Sequence, residues 1–575
     1  MMTFKIVCRA CHEKFDYERP LPVCPNCGQG WLDAEYEFTH PTIDPQATSN
    51  GHLAQRGQEW RQKLAQRGAT LWRYRELLPL IHDENIVSLG EGWTPLLKAH
   101  NLGLMLGHPN IYIKDERQGP TGSFKDRQAA IAISAMKEAG IKEAVVSSTG
   151  NVAIAYSAYS ARAGIKMWIF VTSSVPAEKM REVALYGSEV IKVAGTYDEA
   201  KRIAAEFAAS KNLFLDRGVK GIAAKEAMKT LAFEVAEQLG NALAGEHTAV
   251  LNSNNPWRTP DWYLQAVSGG LGPVGVMKGF AELKRLGLVE KLPKLGLFQT
   301  SGCAPMANSF HKQLAVAETV KEPRTDITTL ATGDPGEAYE VLRELIAQYG
   351  GTIDPITDVE AFNALHLVAK MDGISVEPAT AVTFAGLFKL IREGKIKPHE
   401  TVVLNCSGHT FPVEKHIIGE HHTRDMTLPD TGELANRSRE EGLLTALEEL
   451  DSRVQRITIV EDNPDAARLI RRILQAQGDF LIDEAHDGHS GLRLIQETRP
   501  NLVILDLMMP GLDGFGVVKA MKADPTLKET PIIVITAKEL TDDEKMRLDG
   551  HIKALLQKGS FMDSDLLNDI QQALP

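Results

Sequence analysis

Three groups of residues in this 575-residue chain have types and spacings that could do chemistry. The run Gly119-Pro120-Thr121-Gly122-Ser123-Phe124-Lys125-Asp126-Arg127 sets one lysine in a Gly/Ser-rich turn that hands over to an apolar-periodic helix, expected from Gln128 to Ala139. A lysine so placed can form a Schiff base with a carbonyl cofactor, with Ser123 and the turn amides near enough to bind its oxygens. Cys8-Arg9-Ala10-Cys11 is followed, twelve residues on, by Cys24-Pro25-Asn26-Cys27, two knuckles on a short aromatic-containing hairpin. Four thiolates at this spacing suit tetrahedral zinc. A disulfide pair or a redox site is the alternative, and the lack of a secretory segment favours the metal. A ribbon this small has too little core to fold without it. Finally, Glu461 and Asp462 end a β-branched run that begins at Ile457, and Asp506 ends the strand Leu502 to Leu505. Paired acids at a strand end suit a magnesium ion.

The elements around Lys125 alternate between strand and helix, the pattern of an α/β fold. The apolar run Glu143 to Val146 leads through Ser147-Ser148-Thr149-Gly150-Asn151 into an Ala-rich helix, where Asn151 on its own could be only a cap. The strand Tyr263 to Val267 delivers Ser268-Gly269-Gly270-Leu271-Gly272 to a helix expected from about Pro273 to Leu286. Bare amides at a helix start favour a phosphate. The strand Thr401 to Leu404 ends in Asn405-Cys406-Ser407-Gly408-His409-Thr410.

The string around Lys125 closely resembles the pyridoxal-phosphate lysine motif of threonine synthases. Leu71-Trp72-Arg73-Tyr74-Arg75, Leu89-Gly90-Glu91-Gly92-Trp93-Thr94-Pro95 and Val376-Glu377-Pro378-Ala379-Thr380-Ala381 are similar to signatures of the same family, so the resemblance runs from about Leu71 to His416. It implies a fold-type-II pyridoxal 5'-phosphate enzyme, tryptophan synthase β-like, with two open α/β domains. It further implies that Lys125 holds the cofactor and shuttles protons, that Asn151 meets the ring hydroxyl, and that Ser268, Gly269, Gly270, Leu271 and Gly272 surround the phosphate. Ser407 would then face the pyridine nitrogen. A neutral hydroxyl does not enforce a protonated pyridine as a carboxylate would, so a tempered electron sink is expected.

The implied reaction takes O-phospho-L-homoserine and water to L-threonine and phosphate, with the substrate carboxylate at the Ser148-Thr149 loop on a helix N-terminus. Bacterial threonine synthases usually carry Asn-Ser-x-Asn-Pro-x-Arg as a phosphate grip. This chain has Asp216-Arg217-Gly218-Val219-Lys220-Gly221, in which Arg217 and Lys220 offer replacement charge, and a similar string, Asn252 to Arg258, occurs later. The glycine loop departs as well, with Ser-Gly-Gly-Leu-Gly-Pro where many threonine synthases carry Gly-Asn-Ala-Gly-Asn. Cysteate-synthase-like β-replacement on phosphoserine, a serine/threonine dehydratase, and a non-catalytic cofactor or amino-acid sensor in two-component signalling are therefore the alternatives.

From about Gln455 the chain resembles a response-regulator receiver domain, a flavodoxin-like (βα)5 fold. The resemblance implies that Asp506 accepts a phosphoryl group from a histidine kinase or phosphotransfer protein. Glu461, Asp462 and Asp506 would hold magnesium, while Thr536 hydrogen-bonds and Lys558 pairs with the phosphoryl group. Leu556 stands where receivers usually place an aromatic switch residue, and Gly559 where proline usually follows the lysine, so output through an aromatic flip is not expected.

The expected division is a zinc ribbon at 1–40, a catalytic region at 41–419, a hinge and linker helix at 420–454, and a receiver at 455–575. The linker helix carries Leu443, Leu444, Leu447 and Leu450 at helical spacing, too short a stripe for a coiled coil. Residues 420–575 hold 18 Lys/Arg against 29 Asp/Glu, which accounts for nearly all of the net charge of -12, and residues 1–50 hold four against seven. Neither balance suits nucleic acid or a membrane surface. No apolar run is long enough to span a bilayer, and a cytoplasmic home is expected. Cys303 and Cys406 are expected as core thiols, and a homodimer is expected from the family.

Overall fold

The computed structural model describes residues 3–17, 23–37, 50–148, 150–172, 177–251, 254–409, 455–477, 480–536 and 540–557. They fall into two compact units. The first comprises Met1–Ala99, Asn110–Leu365 and Ser375–Glu414, and the second His100–Pro109, His366–Ile374 and Lys415–Pro575. The hinge and leucine-striped linker helix lie outside the described residues.

The first unit opens with β1 (Thr3–Cys8), β2 (Lys14–Asp16) and β3 (Leu32–Glu37), an antiparallel sheet in the order β2-β1-β3. It is one strand more than a hairpin. Leu32, Ala34 and Tyr36 are buried while Asp33 and Glu35 are not, the period-two alternation of a strand with one covered face.

Ten strands follow: β4 (Leu96–Lys98), β5 (Ile111–Asp115), β6 (Glu143–Ser148), β7 (Lys166–Thr172), β8 (Glu189–Val193), β9 (Phe214–Leu215), β10 (Trp262–Ala266), β11 (Lys294–Thr300), β12 (Gly351–Ile356) and β13 (Val402–Cys406). They form two open sheets, β12-β11-β10-β13-β5-β4 and β8-β7-β6-β9. All neighbours are parallel except β4 with β5. Parallel strands covered on both faces read as nearly continuous apolar runs. Every residue of β5 and of β13 is buried. β13, the last strand of this part of the chain, inserts between β10 and β5, so Leu404 pairs with Leu264 on one side and Ile113 on the other.

The helix Ile222–Leu243 is buried almost all round, and the helix Leu271–Arg285 lies against it. That approach needs glycine. A Cβ at Gly275 would stand 2.5 Å from the Lys225 carbonyl oxygen, and one at Gly279 2.7 Å from that of Lys229.

In the second unit β14 (Gln455–Val460), β15 (Phe480–Ala485), β16 (Leu502–Leu505), β17 (Ile532–Thr536) and β18 (Ala554–Gln557) form a parallel sheet in the order β15-β14-β16-β17-β18. The helices Pro464–Gln477, Gly488–Thr498, Gly514–Ala523 and Asp542–Leu548 connect them, giving the expected flavodoxin-like order. Among the described residues no helix is long and apolar enough to cross a membrane.

Candidate active site and metal centres

A cavity of about 110 Å³ is lined by Lys125, Ser148, Asn151, Ser407 and the whole loop Ser268–Gly272. Its walls come from both open sheets: β6 contributes Ser148 and the helix start at Asn151, β10 the glycine loop, and β13 leads to Ser407. Clefts at the carboxyl ends of parallel strands are where such sheets bind ligands. The helix after the lysine turn spans Lys125–Glu138, starting three residues ahead of the position expected from apolar periodicity. Asp126 and Arg127 are polar but buried, so periodicity could not include them. Asp126 accepts hydrogen bonds from the Thr121 amide at 3.0 Å and hydroxyl at 2.6 Å, which closes the turn. Burial holds the Lys125 amine down at about 8, against the opposing pull of Glu377 and Asp216. Its Nζ lies 4.2 Å from the centre of the Phe124 ring.

The glycine loop opens the helix Leu271–Arg285. Gly270 has φ +79°, and a Cβ at Gly272 would come within 2.3 Å of the Gln265 amide. Backbone amides at a helix start with no side chain over them fit a phosphate. Asn151 Oδ1 is buried with no hydrogen-bond partner among the described residues, an unmet acceptor on the same wall. The lysine, the bare amides and this orphaned oxygen together fit pyridoxal phosphate. Bound there, the cofactor would supply an aldehyde for the lysine and a conjugated ring for delocalising charge.

Sequence reasoning gave Glu377 no role, although its string was noted. This residue is buried and lines the cavity. It accepts hydrogen bonds from Ser407 Oγ at 2.9 Å and from Asn151 Nδ2 at 2.8 Å. The available signal was a carboxylate immediately ahead of Pro378 and the helix Pro378–Arg392, whose first turns, Ala379–Leu387, are mostly apolar and buried.

The remaining expected contacts are not gathered here. Thr149 lies outside the described residues. Arg217 and Lys220 line a separate cavity of about 50 Å³ beside Tyr17. Asp216 accepts from Tyr156 Oη at 3.0 Å and the Gly218 amide at 2.8 Å, and burial pushes its carboxyl up. Of the later string, Asn252 and Ser253 are outside the described residues, and Arg258 lines a third cavity with Arg61. Cys303 and Cys406 are buried thiols.

A buried ionic cluster holds the lysine turn in place. Arg127, two residues beyond Lys125, makes a fork to Glu116 at 2.7 and 2.8 Å and a second to Glu234 at 2.5 and 2.7 Å. Lys114 reaches Glu234 Oε2 at 2.7 Å, Gln238 Oε1 at 2.8 Å and the Thr94 carbonyl at 2.6 Å. Burial by itself would raise the Glu234 carboxyl, but Arg127 and Lys114 overcome it and hold the group well below the usual range. The cluster ties β5, the lysine helix and the helix Ile222–Leu243 to one another.

At the N-terminus the sulfurs of Cys8, Cys11, Cys24 and Cys27 lie within 4.8 Å of one another, with Cys8–Cys27 at 3.6 Å and Cys11–Cys24 at 3.7 Å. All four are free thiols. A tetrahedron with Zn–S bonds of about 2.3 Å has edges of about 3.8 Å, so the group fits zinc. The face that a free-standing ribbon could offer to a partner is occupied. Lys225 donates to the Leu32 carbonyl at 2.8 Å and lies over Trp31, Tyr36 Oη donates to Glu226 at 2.9 Å, and Lys278 donates to the Ala34 carbonyl at 2.6 Å.

In the second unit, carboxylate oxygens of Glu461, Asp462 and Asp506 also lie within 4.8 Å of one another, a donor set that fits a hard cation. Glu461 and Asp506 are buried and Asp462 is more open to solvent. Asp506 Oδ1 accepts the Met508 amide at 3.1 Å. Thr536 ends β17 opposite Gln557. Lys558 lies outside the described residues.

Comparison with known proteins identifies the families. The family described as pyridoxal-phosphate dependent enzyme matches residues 87–408, and that of the response regulator receiver domain matches residues 457–571. The chain is 32% identical over 403 residues to a threonine synthase of Methanocaldococcus jannaschii, covering 70% of this chain and 91% of that one. It is 29% identical over 416 residues to a threonine synthase of Methanosarcina acetivorans, covering 72% and 94%. With a threonine synthase of Mycobacterium tuberculosis it shares 32% over 337 residues, covering 58% and 86%. The chain therefore belongs to the pyridoxal-phosphate dependent enzymes, as a lyase of the threonine synthase kind that also carries a response-regulator receiver domain.

Proposed function

We propose that this protein converts O-phospho-L-homoserine and water to L-threonine and phosphate. The observation that carries this reading is one cavity joining Lys125, Asn151, the Ser268–Gly272 loop and Ser407 in a chain that matches threonine synthases over most of their length. On this reading Lys125 holds the cofactor and, once its amine is released, moves protons at the substrate carbons. The glycine loop grips the cofactor phosphate, Asn151 the ring hydroxyl and Ser407 the ring nitrogen. Ser148 and Thr149 take the substrate carboxylate, while Arg217, the expected source of positive charge, lines a cavity apart from that of Lys125. Zinc in the four cysteines folds the ribbon, 1–40, which docks on the catalytic region, 41–419; 420–454 is a hinge and helix, and 455–575 the receiver. The active form is a homodimer.

A second reading is favoured by Asp216. Asp216 opens the segment that stands in place of the usual phosphate grip, and while ionised a carboxylate there disfavours an anionic ligand. A neutral leaving group, the hydroxyl of serine or threonine in β-elimination, would then be preferred over a phosphate ester, phosphoserine included. Phosphate release by cofactor-loaded protein separates the two. Threonine from phosphohomoserine, with no phosphate released from phosphoserine, is the expected result. Activity with phosphoserine alone would overturn the first reading.

The receiver is proposed to be phosphorylated on Asp506 by a histidine kinase or phosphotransfer protein, with magnesium on Glu461, Asp462 and Asp506 and with Thr536 and Lys558 on the phosphoryl group, and to regulate the lyase. The expected coupling is roughly 5- to 150-fold in substrate affinity, absent in Asp506→Asn. Equal kinetics for native, phosphorylated and Asp506→Asn protein would remove the regulatory role.

A further inference from the structure

We propose that Glu377 is a positioning residue that fixes the proton on the cofactor's ring nitrogen by deciding which way the Ser407 hydroxyl points. A serine hydroxyl has one proton and two lone pairs. The proton goes to Glu377 Oε1, 2.9 Å away, and a carboxylate only accepts. Thr380 Oγ1 lies 2.8 Å from Ser407 Oγ and receives the Gly408 amide at 3.3 Å. With the Ser407 proton committed to Glu377, the Thr380 hydroxyl donates to Ser407 and occupies one lone pair. What Ser407 has left for the cavity is one lone pair, an acceptor and nothing else.

A neutral pyridine nitrogen is also an acceptor, and two buried lone pairs facing each other leave both groups unsatisfied. The ring nitrogen opposite Ser407 must therefore carry a proton. The carboxylate acts through the hydroxyl as a directly bonded carboxylate would act on the ring, which replaces the tempered sink expected from a lone serine.

The surrounding backbone holds this arrangement. The Phe124 amide donates to the Ser407 carbonyl at 2.9 Å and the His409 amide to that of Gly122 at 3.0 Å, so the Ser407 loop is stitched to the lysine turn. Gly408 gives the carboxylate room, since a Cβ there would lie 2.8 Å from Glu377 Cδ. Asn151 Nδ2 holds the other carboxylate oxygen at 2.8 Å and fixes its plane.

The inference rests on the assignment of this cavity to the cofactor. The full-length protein would be loaded with pyridoxal phosphate labelled with ¹⁵N in the ring, retention scored by absorbance, and the protonation of the ring nitrogen read by ¹⁵N NMR at neutral pH. Native protein and Thr380→Val are expected to hold a protonated ring nitrogen, and the double variant Glu377→Met/Thr380→Val, which removes both side-chain acceptors within reach of the Ser407 proton and leaves it the ring, a bare one. A bare nitrogen in the native protein overturns the proposal whether or not the double variant folds, and so does a protonated one in Glu377→Met/Thr380→Val. Native protein that fails to retain the cofactor overturns the cavity assignment instead.

Discussion

Lys125→Ala is expected to leave cofactor bound without its covalent absorbance and to lower phosphate release by about 10³-fold or more, because the same amine is the proposed anchor and proton shuttle. Activity within about tenfold of native would sink this assignment and direct attention to another base on the cavity wall. The amine also predicts a pH profile. Burial holds it at about 8. Below that value it is protonated and cannot attack an aldehyde, so capture of pyridoxal phosphate by cofactor-free protein should rise with pH and level off above about 8. An amine in solvent would give a rate still climbing near pH ~10.

Glu234→Gln should be the most damaging single change to stability that leaves the cavity wall intact. The side chains of Glu234, Lys114 and Arg127 are all 0–1% exposed. Losing one charge leaves Lys114 and one of the two Arg127 forks uncompensated, at a cost of about 3–5 kcal/mol. Thermal melting of the full chain should fall by roughly 10 °C. The exposed pair Arg202–Glu206 serves as control, since breaking it should leave the melting temperature unchanged. An equal response from the two pairs would mean that the buried cluster is not dry. Because Arg127 sits two residues from Lys125, the Glu234 variant should also slow cofactor capture.

Local strings carried much of the information about this protein. The lysine turn, the glycine loop and the Ser407 string are short, and each works through backbone geometry and residue type that a few neighbours dictate. The helix after Lys125 was misjudged by three residues because its first turn is polar yet buried, which apolar periodicity cannot register. Glu377 was passed over for a related reason. A carboxylate acquires meaning from what it touches, and its partners Asn151 and Ser407 lie 226 and 30 residues away. The ribbon followed the same pattern, with the four cysteines readable from spacing while the residues that receive it, Lys225, Glu226 and Lys278, have nothing in their own sequence to mark them as a docking surface.

By itself the sequence determined the chemistry available: a lysine for a carbonyl cofactor, four thiolates for a metal, three carboxylates at strand ends, and the alternation of strands and helices that makes parallel sheets. These follow from residue type and short-range periodicity. Only the tertiary structure decided that β13 inserts between β10 and β5, which carries Ser407 across from the lysine turn and brings Glu377 behind it. It also placed Arg217 and Arg258 in cavities other than that of Lys125. Strand order and the burial of charge are set by contacts between residues far apart in the chain, and the Ser407 hydroxyl meets its two side-chain partners, Glu377 and Thr380, across about thirty residues.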